Sequence, residues 1–521
     1  MNGAPGSVGT RRTPDGGRRF PVAVLTLAAF VVLAAHLALF WDWTSDDAYI
    51  SFRYAENLAA GRGLVFNPGE NVEGFSNFPW VIVLALARLV GLSPVLTAKA
   101  LGVLAAFLLL GLWLKAAAEA GLGERSRLSG LWMLAVSTGL AYFAMSGLET
   151  VPYALLLFAA VRLERRFAQE PGLPRLAAVY AVLALVALSR PEGVMFLVLS
   201  GAYHIARRLA GGRGLPLKTT LLTVASAGLV FAGFLVFRWL TFGSLVPNTF
   251  YAKPPGTFVD GPAGALLANL VGGLGSGSFL VVLIPILMVA RKGTGRLGYA
   301  LLLVVGQLVF MAYAGDWMAF GRFFLPAAPI AFLVVFALLE TRPRAVGASL
   351  SLAILAGLIV ANAGQTRTAL AERDRFPYLV MRAERLVELA REVGRELPSG
   401  ALLALRRQGA VPYVTGLPSL DTLGLTDRAI ARIIHRERDP LRLDEGIGQA
   451  ILAASPDLIL LFASRSEEGG RPVAGEDPRY RLPEAEHRLL ERAAARGYRV
   501  VRTTDLGPWE RAVWVAKPSG G

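Results

Sequence analysis

Two adjacent aspartates, Asp46 and Asp47, are the residues of this sequence best suited to chemistry. They lie in the stretch TSDDAYISFRY, a few residues after the apolar run 20–41. Charged groups are costly near hydrocarbon, so they usually mark a functional site there. A carboxylate in such a place can serve as a general base. Acidic residues also favour the start of a helix, so a second interpretation is that the pair only caps the helix predicted for DAYISFRYAENLAAG.

Four later segments share one arrangement, in which a polar or charged group stands between two apolar runs. They are SGLET at 146–150, SRPEG at 189–193, GSLVPNTFYAKP at 243–254 and AGDWMAFGRFFLP at 314–326. The loops that alternate with them are short, basic and otherwise plain. This asymmetry predicts a site on the face of the membrane where the polar segments meet.

Cations near these segments can bind a phosphate, and arginine can do so with two hydrogen bonds at once. The candidate phosphate ligands are Arg53, Arg190, Lys253 and Arg322. A structural alternative remains for each of them. Arg190 can simply pair with Glu149 or Glu192 at the end of a membrane span, and Lys253 can snorkel to lipid headgroups. Arg53 can pair with Glu56 on a solvated face, and Arg322 can form a structural pair with Asp316.

The composition indicates which elements must position these groups. Of the 521 residues, 54% are hydrophobic, and the mean hydropathy is +0.50. Soluble domains rarely sustain this over such a length. Eleven apolar runs predict membrane spans of about 20 residues or shorter, at 20–41, 94–114, 128–145, 148–161, 174–189, 193–206, 219–241, 278–290, 298–313, 323–339 and 345–363. We read the first run as a retained span rather than a signal peptide, because no small-residue cleavage site follows it.

A twelfth apolar segment, 78–92, contains Arg88 and is short for a span. The distribution of Lys and Arg between the two sides of the membrane decides whether this segment crosses. If it does not cross, twenty Lys and Arg residues fall in alternate segments counted from the N-terminal tail. Only five fall in the loops between them, leaving aside 78–92 and the C-terminal region. Because cytoplasmic loops carry the excess of cations, we predict that 78–92 is an interfacial helix within an outer loop 42–93. The alternative is a short true span.

The net charge of +15 does not indicate a nucleic-acid partner. Residues 364–521 hold 25 Lys and Arg against 22 Asp and Glu, so the excess lies in the membrane half. The chain contains no Cys, and its four His residues are scattered. Disulfides, thiolate sites and His-rich metal sites are therefore not expected.

We predict three regions: a cytoplasmic tail 1–19, a transmembrane domain 20–363 and a soluble α/β domain 364–521. In the last of these, ALLALR, DLILLF and YRVVRT predict short buried strands. The stretches 375–397, 444–455 and 484–496 predict helices between them. Eleven crossings would place this domain outside the cytoplasm. No phosphate-binding loop or catalytic triad is evident in it, so we expect it to bind acceptor or to give structural support.

Taken together, these motifs resemble the GT-C superfamily of integral-membrane glycosyltransferases. The loop DDAYISFRYAENLAAGRGLVFNPGENVEGFSNFPW is most similar to that of the mycobacterial terminal β-(1→2)-arabinofuranosyltransferases and their bacterial relatives. SGLET, LSRPEG, PNTFYAK, GDWM and GRFFLP are similar to later motifs of that group, as is DTLGLTD at 421–427.

The resemblance implies an α-helical polytopic membrane protein of the bacterial inner membrane, with its site facing outward. A sugar would pass from a polyprenyl-phosphate donor to a hydroxyl of a glycan, lipid or protein of the cell envelope. The resemblance also implies that Asp46 is the catalytic base, with Asp47 as its neighbour or substitute. No cofactor is assigned, and a divalent cation is left open. The substrate-binding candidates are Glu73, Asn77, Glu149, Glu192, Asn248, Tyr251, Asp316 and Trp317.

Two other classes remain open from the sequence. A polysaccharide ligase or polymerase would use the same outer site with a lipid-diphosphate donor. A transporter would also have many spans, but it would be expected to show internal repeats and charges near mid-span. The prominent acids here lie at loop ends instead.

Overall fold

The computed structural model describes residues 16–253, 261–289, 297–314, 318, 320–371, 383–465, 470–473 and 475–517. Its first part is helical throughout. The helices preceding position 190 are α1 Gly16–Leu39, α2 Asp46–Ala59, α3 Phe78–Leu89, α4 Pro94–Glu119, α5 Glu124–Ala135, α6 Thr138–Met145, α7 Thr150–Gln169 and α8 Leu173–Ser189. They are followed by α9 Gly193–Leu209, α10 Leu217–Phe242, α11 Asn248–Ala252, α12 Gly261–Gly272, α13 Leu280–Val289, α14 Gly298–Tyr313, α15 Ala328–Leu339 and α16 Arg344–Ala371.

Four of these helices, α1, α4, α10 and α16, are long and apolar enough to cross a membrane by length and composition. The pair α5 and α6, bent by 47° at its break, would make a fifth. Each apolar run predicted from the sequence overlaps a helix, except that 128–145 is divided between α5 and α6. The count of eleven spans stays a prediction, because several of the other helices are shorter than a full span.

The segment 78–92 forms α3, which has 12 residues. At 1.5 Å per residue this is roughly 18 Å, well short of the ~30 Å hydrocarbon core. One side of α3 is buried against α2 and α8, including Trp80 and Leu84, while Leu86 and Leu89 are exposed. This shape fits an interfacial helix, and its placement at the membrane surface stays a prediction.

Small residues let the helices that carry the site approach closely. A Cβ at Gly102 of α4 would lie 2.9 Å from the carbonyl carbon of Ala144 in α6, with the carbonyl oxygen closer still. The backbones of α4 and α6 therefore touch, as is common in membrane bundles. Since α6 leads directly into the polar segment 146–149, this contact fixes the base of that segment.

The second part of the chain is a small α/β domain, as predicted. Its helices are α17 Ala383–Glu396, α18 Ala410–Thr415, α19 Arg428–Arg436, α20 Pro440–Ala453 and α21 Glu484–Ala495. Its strands are β1 Leu403–Leu405, β2 Ser419–Asp421, β3 Leu458–Ser464, β4 Arg471–Pro472, β5 Arg481–Leu482, β6 Arg499–Asp505 and β7 Glu510–Ala516. Strands β2, β1 and β3 are parallel neighbours, and β7 and β6 continue the sheet antiparallel.

The three predicted strands correspond to β1, β3 and β6, and the three predicted helices to α17, α20 and α21. The prediction that YRVVRT is a buried strand was wrong as to burial, because β6 pairs with β7 and most of its residues are exposed or half-buried. The predicted boundary at 363 falls inside α16, which continues to Ala371. The exact domain limits therefore stay predictions.

Candidate active site

Helix α2 carries the aspartate pair and presents its two members to different surroundings. Both lie in its first turn, where carboxylates are stabilised by the helix dipole. Ser45 has the extended backbone of an N-cap residue, although its side chain makes no capping hydrogen bond. Adjacent residues on a helix point about 100° apart. The two carboxylates therefore take part in different contacts.

The carboxylate of Asp46 is buried against the C-terminal domain. Its Oδ1 accepts a hydrogen bond of 2.7 Å from the backbone N–H of Ala410, and its Oδ2 one of 3.3 Å from that of Gly409. Burial raises the pKa of Asp46 to about 6 against the lowering effect of the Ala410 amide, and the neighbouring Asp47 charge raises it further. Asp46 does cap a helix, but that helix is α18 of the other domain.

Arg53 lies two turns after Asp46 on the same side of α2. Its Nε donates to the carbonyl of Phe66 at 2.8 Å and its Nη2 to that of Leu417 at 2.8 Å. Its Nη1 donates to the carbonyl of Pro412. Burial lowers the pKa of Arg53 to about 10. With its donors directed to backbone carbonyls, Arg53 does not fit the predicted role of phosphate ligand, and we assign it to the domain contact.

Asp47 lies on the other side of α2 and is half-buried. Ser51, one turn later on that side, exchanges hydrogen bonds with Asn77. Asn77 Nδ2 in turn donates to Glu149 Oε2 at 2.7 Å. Within the described residues, the Asp47 carboxylate has no hydrogen bond or ion pair. Of the two carboxylates, that of Asp47 is thus the one without a partner among the described residues.

A buried network of charges lies beyond Asn77. Arg190 Nη1 is 3.0 Å from Glu149 Oε1, and Arg190 Nε is 2.6 Å from Glu192 Oε1. All three side chains are at most 7% exposed. Glu149 is thus surrounded by the guanidinium groups of Arg190 and Arg322 and by the amide of Asn77. The polar segments SGLET and SRPEG therefore do meet, as the sequence predicted.

Arg322 completes this network from the segment before α15. Its Nη2 is 3.8 Å from Glu149 Oε1, and its side chain is 15% exposed. Its Nε is buried and lacks a hydrogen-bond partner in the part of the chain that the structure describes. Because buried donors are nearly always satisfied in folded proteins, this N–H is well placed to take an oxygen of a bound anion.

A second polar group surrounds Glu73. Its Oε2 is 2.7 Å from Nε of Arg238, near the C-terminal end of α10. Burial raises the pKa of Glu73 to about 7 despite that arginine. The backbone N–H of Asn248 donates to the Glu73 carbonyl at 2.9 Å. A narrow cleft lies beside Glu73, lined also by Asn248, Tyr251 and Arg428.

The other residues of PNTFYAK hold this segment in place. The side chain of Asn248 donates to the carbonyls of Gly424, Leu425 and Asp427 at 2.7 to 3.1 Å. Tyr251 is half-buried, and Lys253 is half-buried directly after α11. Asn248 is thus engaged by the C-terminal domain, whereas Tyr251 and Lys253 remain candidates for substrate contact.

Two predicted residues, Asp316 and Trp317, lie outside the described residues. The sequence analysis missed Arg238, although an arginine within the apolar run 219–241 is a signal for a buried partner. It also missed the amides of Gly409 and Ala410, which no side-chain pattern reveals. The described residues contain no group of three His, Asp or Glu side chains placed to hold a metal.

Comparisons with known proteins give independent information on both domains. Residues 378–516 match a family described as a domain of unknown function, DUF8728. Over 242 residues the chain is 30% identical to the terminal β-(1→2)-arabinofuranosyltransferase of Mycobacterium tuberculosis, and this match covers 40% of the chain and 35% of that protein. A match to the Corynebacterium glutamicum protein of the same name has 36% identity over 84 residues, 15% of this chain and 12% of that protein. The matches thus span about a third or less of these curated relatives.

Solved structures resemble the chain over most of its length. ArnT from Cupriavidus metallidurans bound to undecaprenyl phosphate superposes with a TM-score of 0.59 at 13% identity, covering 97% of this chain and all of that one. The Archaeoglobus fulgidus oligosaccharyltransferase AglB, in complex with an inhibitory peptide and a dolichol-phosphate, gives 0.55 at 9% identity, covering 85% and 69%. These findings confirm the predicted fold class and the resemblance on which it rests.

Proposed function

Because the chain has the fold of the GT-C glycosyltransferases, we propose that it is an inverting glycosyltransferase that uses a polyprenyl-phosphate-linked sugar. The observation that carries this proposal is the position of Asp47 on α2, one turn before Ser51, whose side chain hydrogen-bonds Asn77 of the Asn77–Glu149–Arg190–Arg322 network. Such a transfer needs a base and a ligand for the departing phosphate. Among the described residues, the Asp47 carboxylate and the Nε–H of Arg322 have no hydrogen-bond partner and can take these two roles.

Asp47 is the residue that we assign as base, in place of Asp46. An acceptor hydroxyl gives its proton to the Asp47 carboxylate as its oxygen bonds to the anomeric carbon of the sugar. The bond from that carbon to the phosphate oxygen breaks on the opposite side, so the configuration inverts and the lipid phosphate leaves with the electron pair. Asp46 is less suited to this step, because both of its oxygens accept backbone hydrogen bonds.

Arg322 and Lys253 are the cations that we assign to the lipid phosphate. Arg322 carries a buried N–H that has no hydrogen-bond partner among the described residues. Lys253 comes two residues after Tyr251, which lines the cleft beside Glu73. Arg190 is already bonded to two carboxylates, so it positions Glu149 and Glu192 and does not bind phosphate itself. Such positively charged groups stabilise the charge that develops on a leaving oxyanion.

Glu73, Asn77, Glu149, Glu192, Asn248, Tyr251, Asp316 and Trp317 remain proposed substrate-site residues, several of them acting through the network. The acceptor is a hydroxyl of a cell-envelope glycan, lipid or protein. The site and the C-terminal domain face outward from the bacterial inner membrane. This orientation is supported by the distribution of Lys and Arg along the sequence.

Transfer from defined donors by the purified, lipid-reconstituted chain tests this function. We expect sugar transfer from a polyprenyl-phosphate donor, with pentofuranose and hexose donors compared in parallel. Asp47→Asn should lower the rate roughly 10²–10⁴-fold, the usual contribution of a general base. Glu56→Gln on the same helix is the matched control, because its pair with Arg88 is partly exposed and the glutamine oxygen can still accept the hydrogen bond from Tyr413.

Two results would contradict the proposal in different ways. Transfer from lipid-diphosphate donors alone would indicate the ligase class. Transfer at the wild-type rate by Asp47→Asn would retain the function and remove Asp47 as its base.

A further inference from the structure

The C-terminal domain contacts one face of α2 through a charged residue at each end of that face, Asp46 and Arg53. Asp46 accepts hydrogen bonds from the amides of Gly409 and Ala410. Two turns later, Arg53 donates to the carbonyls of Pro412 and Leu417. We call these contacts the α2 clamp. The Asp46 carboxylate faces backbone N–H donors and the Arg53 guanidinium faces backbone carbonyl acceptors, so charge and hydrogen bonding are complementary at both ends of the clamp.

From this clamp we infer that the C-terminal domain is a positioning element of the active site: it fixes the rotation of α2 and thereby the direction in which Asp47 points. The inference rests on the proposed function, since it concerns Asp47 as base. It assigns a role to the part of the chain, 378–516, that matches a family of unknown function.

The packing at Gly409 leaves no room for a side chain between α18 and α2. A Cβ added to Gly409 would lie 2.6 Å from the carbonyl carbon of Asp46, and closer still to its carbonyl oxygen and Oδ1. Real Cβ atoms essentially never come within 3.0 Å of such atoms. Between the two charged contacts, the ring of Tyr413 packs on Tyr49 with centroids 5.3 Å apart. The whole face of α2 from 46 to 53 is thus fixed by one surface.

Asp47 cannot move independently of Asp46, because the two are consecutive residues of one helix. A shift of α2 by about 1 Å would carry the Asp47 carboxylate with it, and a misplacement of that size can cost on the order of 10² in rate. The clamp therefore matters for the chemical step even though none of its residues touches the reacting atoms.

The clamp is separate from the contacts that dock the domain as a whole. Asn248 donates to three carbonyls of the segment 424–427, and Arg428 donates to the carbonyls of Asn71 and Phe242. None of these contacts involves α2. A variant that weakens the clamp should therefore keep the domain docked, which allows positioning to be separated from docking.

Gly409→Ala in the full-length, lipid-reconstituted protein is the most direct test. We expect kcat to fall at least roughly tenfold with the donor KM within about twofold of wild type, because the phosphate ligands are untouched. Gly394→Ala is the matched control. Its new Cβ would meet only Thr415 at 3.8 Å, an ordinary contact, so its kinetics should be those of wild type. Wild-type kcat in Gly409→Ala would overturn the inference.

If Gly409→Ala fails to fold, Asp46→Asn is a second test, because it weakens the clamp without adding any atom at Gly409. The amide oxygen can still accept from Ala410, while the new NH₂ faces the N–H of Gly409. We expect a several-fold loss in kcat at constant KM, together with roughly tenfold faster hydrogen exchange at the amide of Gly409, which loses its acceptor, and faster exchange at Ala410, whose acceptor loses its charge. A loss of 10² or more in Asp46→Asn alongside a fully active Asp47→Asn would make Asp46 the base and refute the positioning role.

Hydrogen exchange separates this inference from the proposed function. It reports the coupling of α2 to 409–417 whether or not any sugar is transferred. Unchanged exchange of 409–417 in Asp46→Asn would refute the clamp even in an active transferase. Faster exchange in a chain that transfers no sugar would leave the clamp in place and refute the function.

Discussion

Glu149→Gln tests the buried charge network at its centre. In the wild type, Glu149 and Glu192 balance Arg190 and Arg322, so the four ionised side chains sum to zero. Glutamine has nearly the same shape and can still accept from Arg190. Asn77 can turn its amide over to present its oxygen to the new NH₂. The substitution thus removes one charge while keeping most of the hydrogen bonds.

The magnitude follows from the distances. At an effective dielectric constant of 20, a charge pair at 3.0 Å gains about 5.5 kcal/mol and one at 3.8 Å about 4.4 kcal/mol before desolvation. Removing one partner of a buried pair costs about 3–5 kcal/mol net, because the other charge is left uncompensated. Since the hydrogen bonds largely survive, we expect a loss near the lower end, ~3 kcal/mol.

The assay is the thermal midpoint of the purified protein in detergent, with Glu56→Gln as control. The Glu56 pair is 3.0 Å long but its side chains are 29% and 42% exposed, so its loss should be worth about 0–1 kcal/mol. Glu149→Gln should lower the midpoint clearly more than the control. It should not raise the donor KM, because the region around Arg322 becomes more positive. Equal midpoints for the two variants would refute the desolvated network.

Further outcomes are expected elsewhere in the chain. Replacing Lys253 by Ala should raise the donor KM by about tenfold or more with little change in midpoint, as expected for a group that binds a phosphate; Arg322→Ala should raise the donor KM similarly and also lower the midpoint, because it leaves the Glu149 network with an uncompensated negative charge; unchanged donor kinetics in both would exclude the phosphate site. Burial raises the pKa of Asp421 to about 7 against the Thr426 and Leu423 amides. The folded state then holds a proton that the unfolded state has lost, so stability should fall as pH rises from about 4 to 7; a slope in midpoint that Asp421→Asn leaves unchanged would contradict this. With no native Cys as background, a cysteine at Asn71 should react with an impermeant thiol reagent from outside, and one at Glu124 should not; the reverse labelling would overturn the topology.

The fold was largely accessible from the sequence because its signals are local. Apolar runs of the right length predict helices wherever they occur, and two of the seven strands of the C-terminal domain, β1 and β3, are apolar enough to be recognised singly. The number of crossings was less accessible. Helices such as α8 and α15, with 17 and 12 residues, are shorter than a full span, so length alone does not decide how they lie.

The site was accessible only in part, because side-chain partners depend on packing. The convergence of Glu149, Arg190 and Arg322 could be anticipated from charges at loop ends. The assignment of Arg53 could not, since its partners are backbone carbonyls supplied by residues 412 and 417. Every residue has a backbone carbonyl, so no sequence pattern predicts which carbonyls an arginine will contact.

The same limit explains why the sequence could not choose between Asp46 and Asp47. Both are in the first turn of α2, both favour its start, and both come a few residues after a membrane span. They differ only in what packs against them, and that is decided by a domain more than 350 residues away in the chain. A buried carboxylate already satisfied by amides is a poor proton acceptor for a substrate, whereas its half-buried neighbour has no competing partner among the described residues. Adjacent acids at the start of a helix can therefore divide two tasks, holding the helix and performing chemistry on it, and only the surrounding structure shows which residue does which.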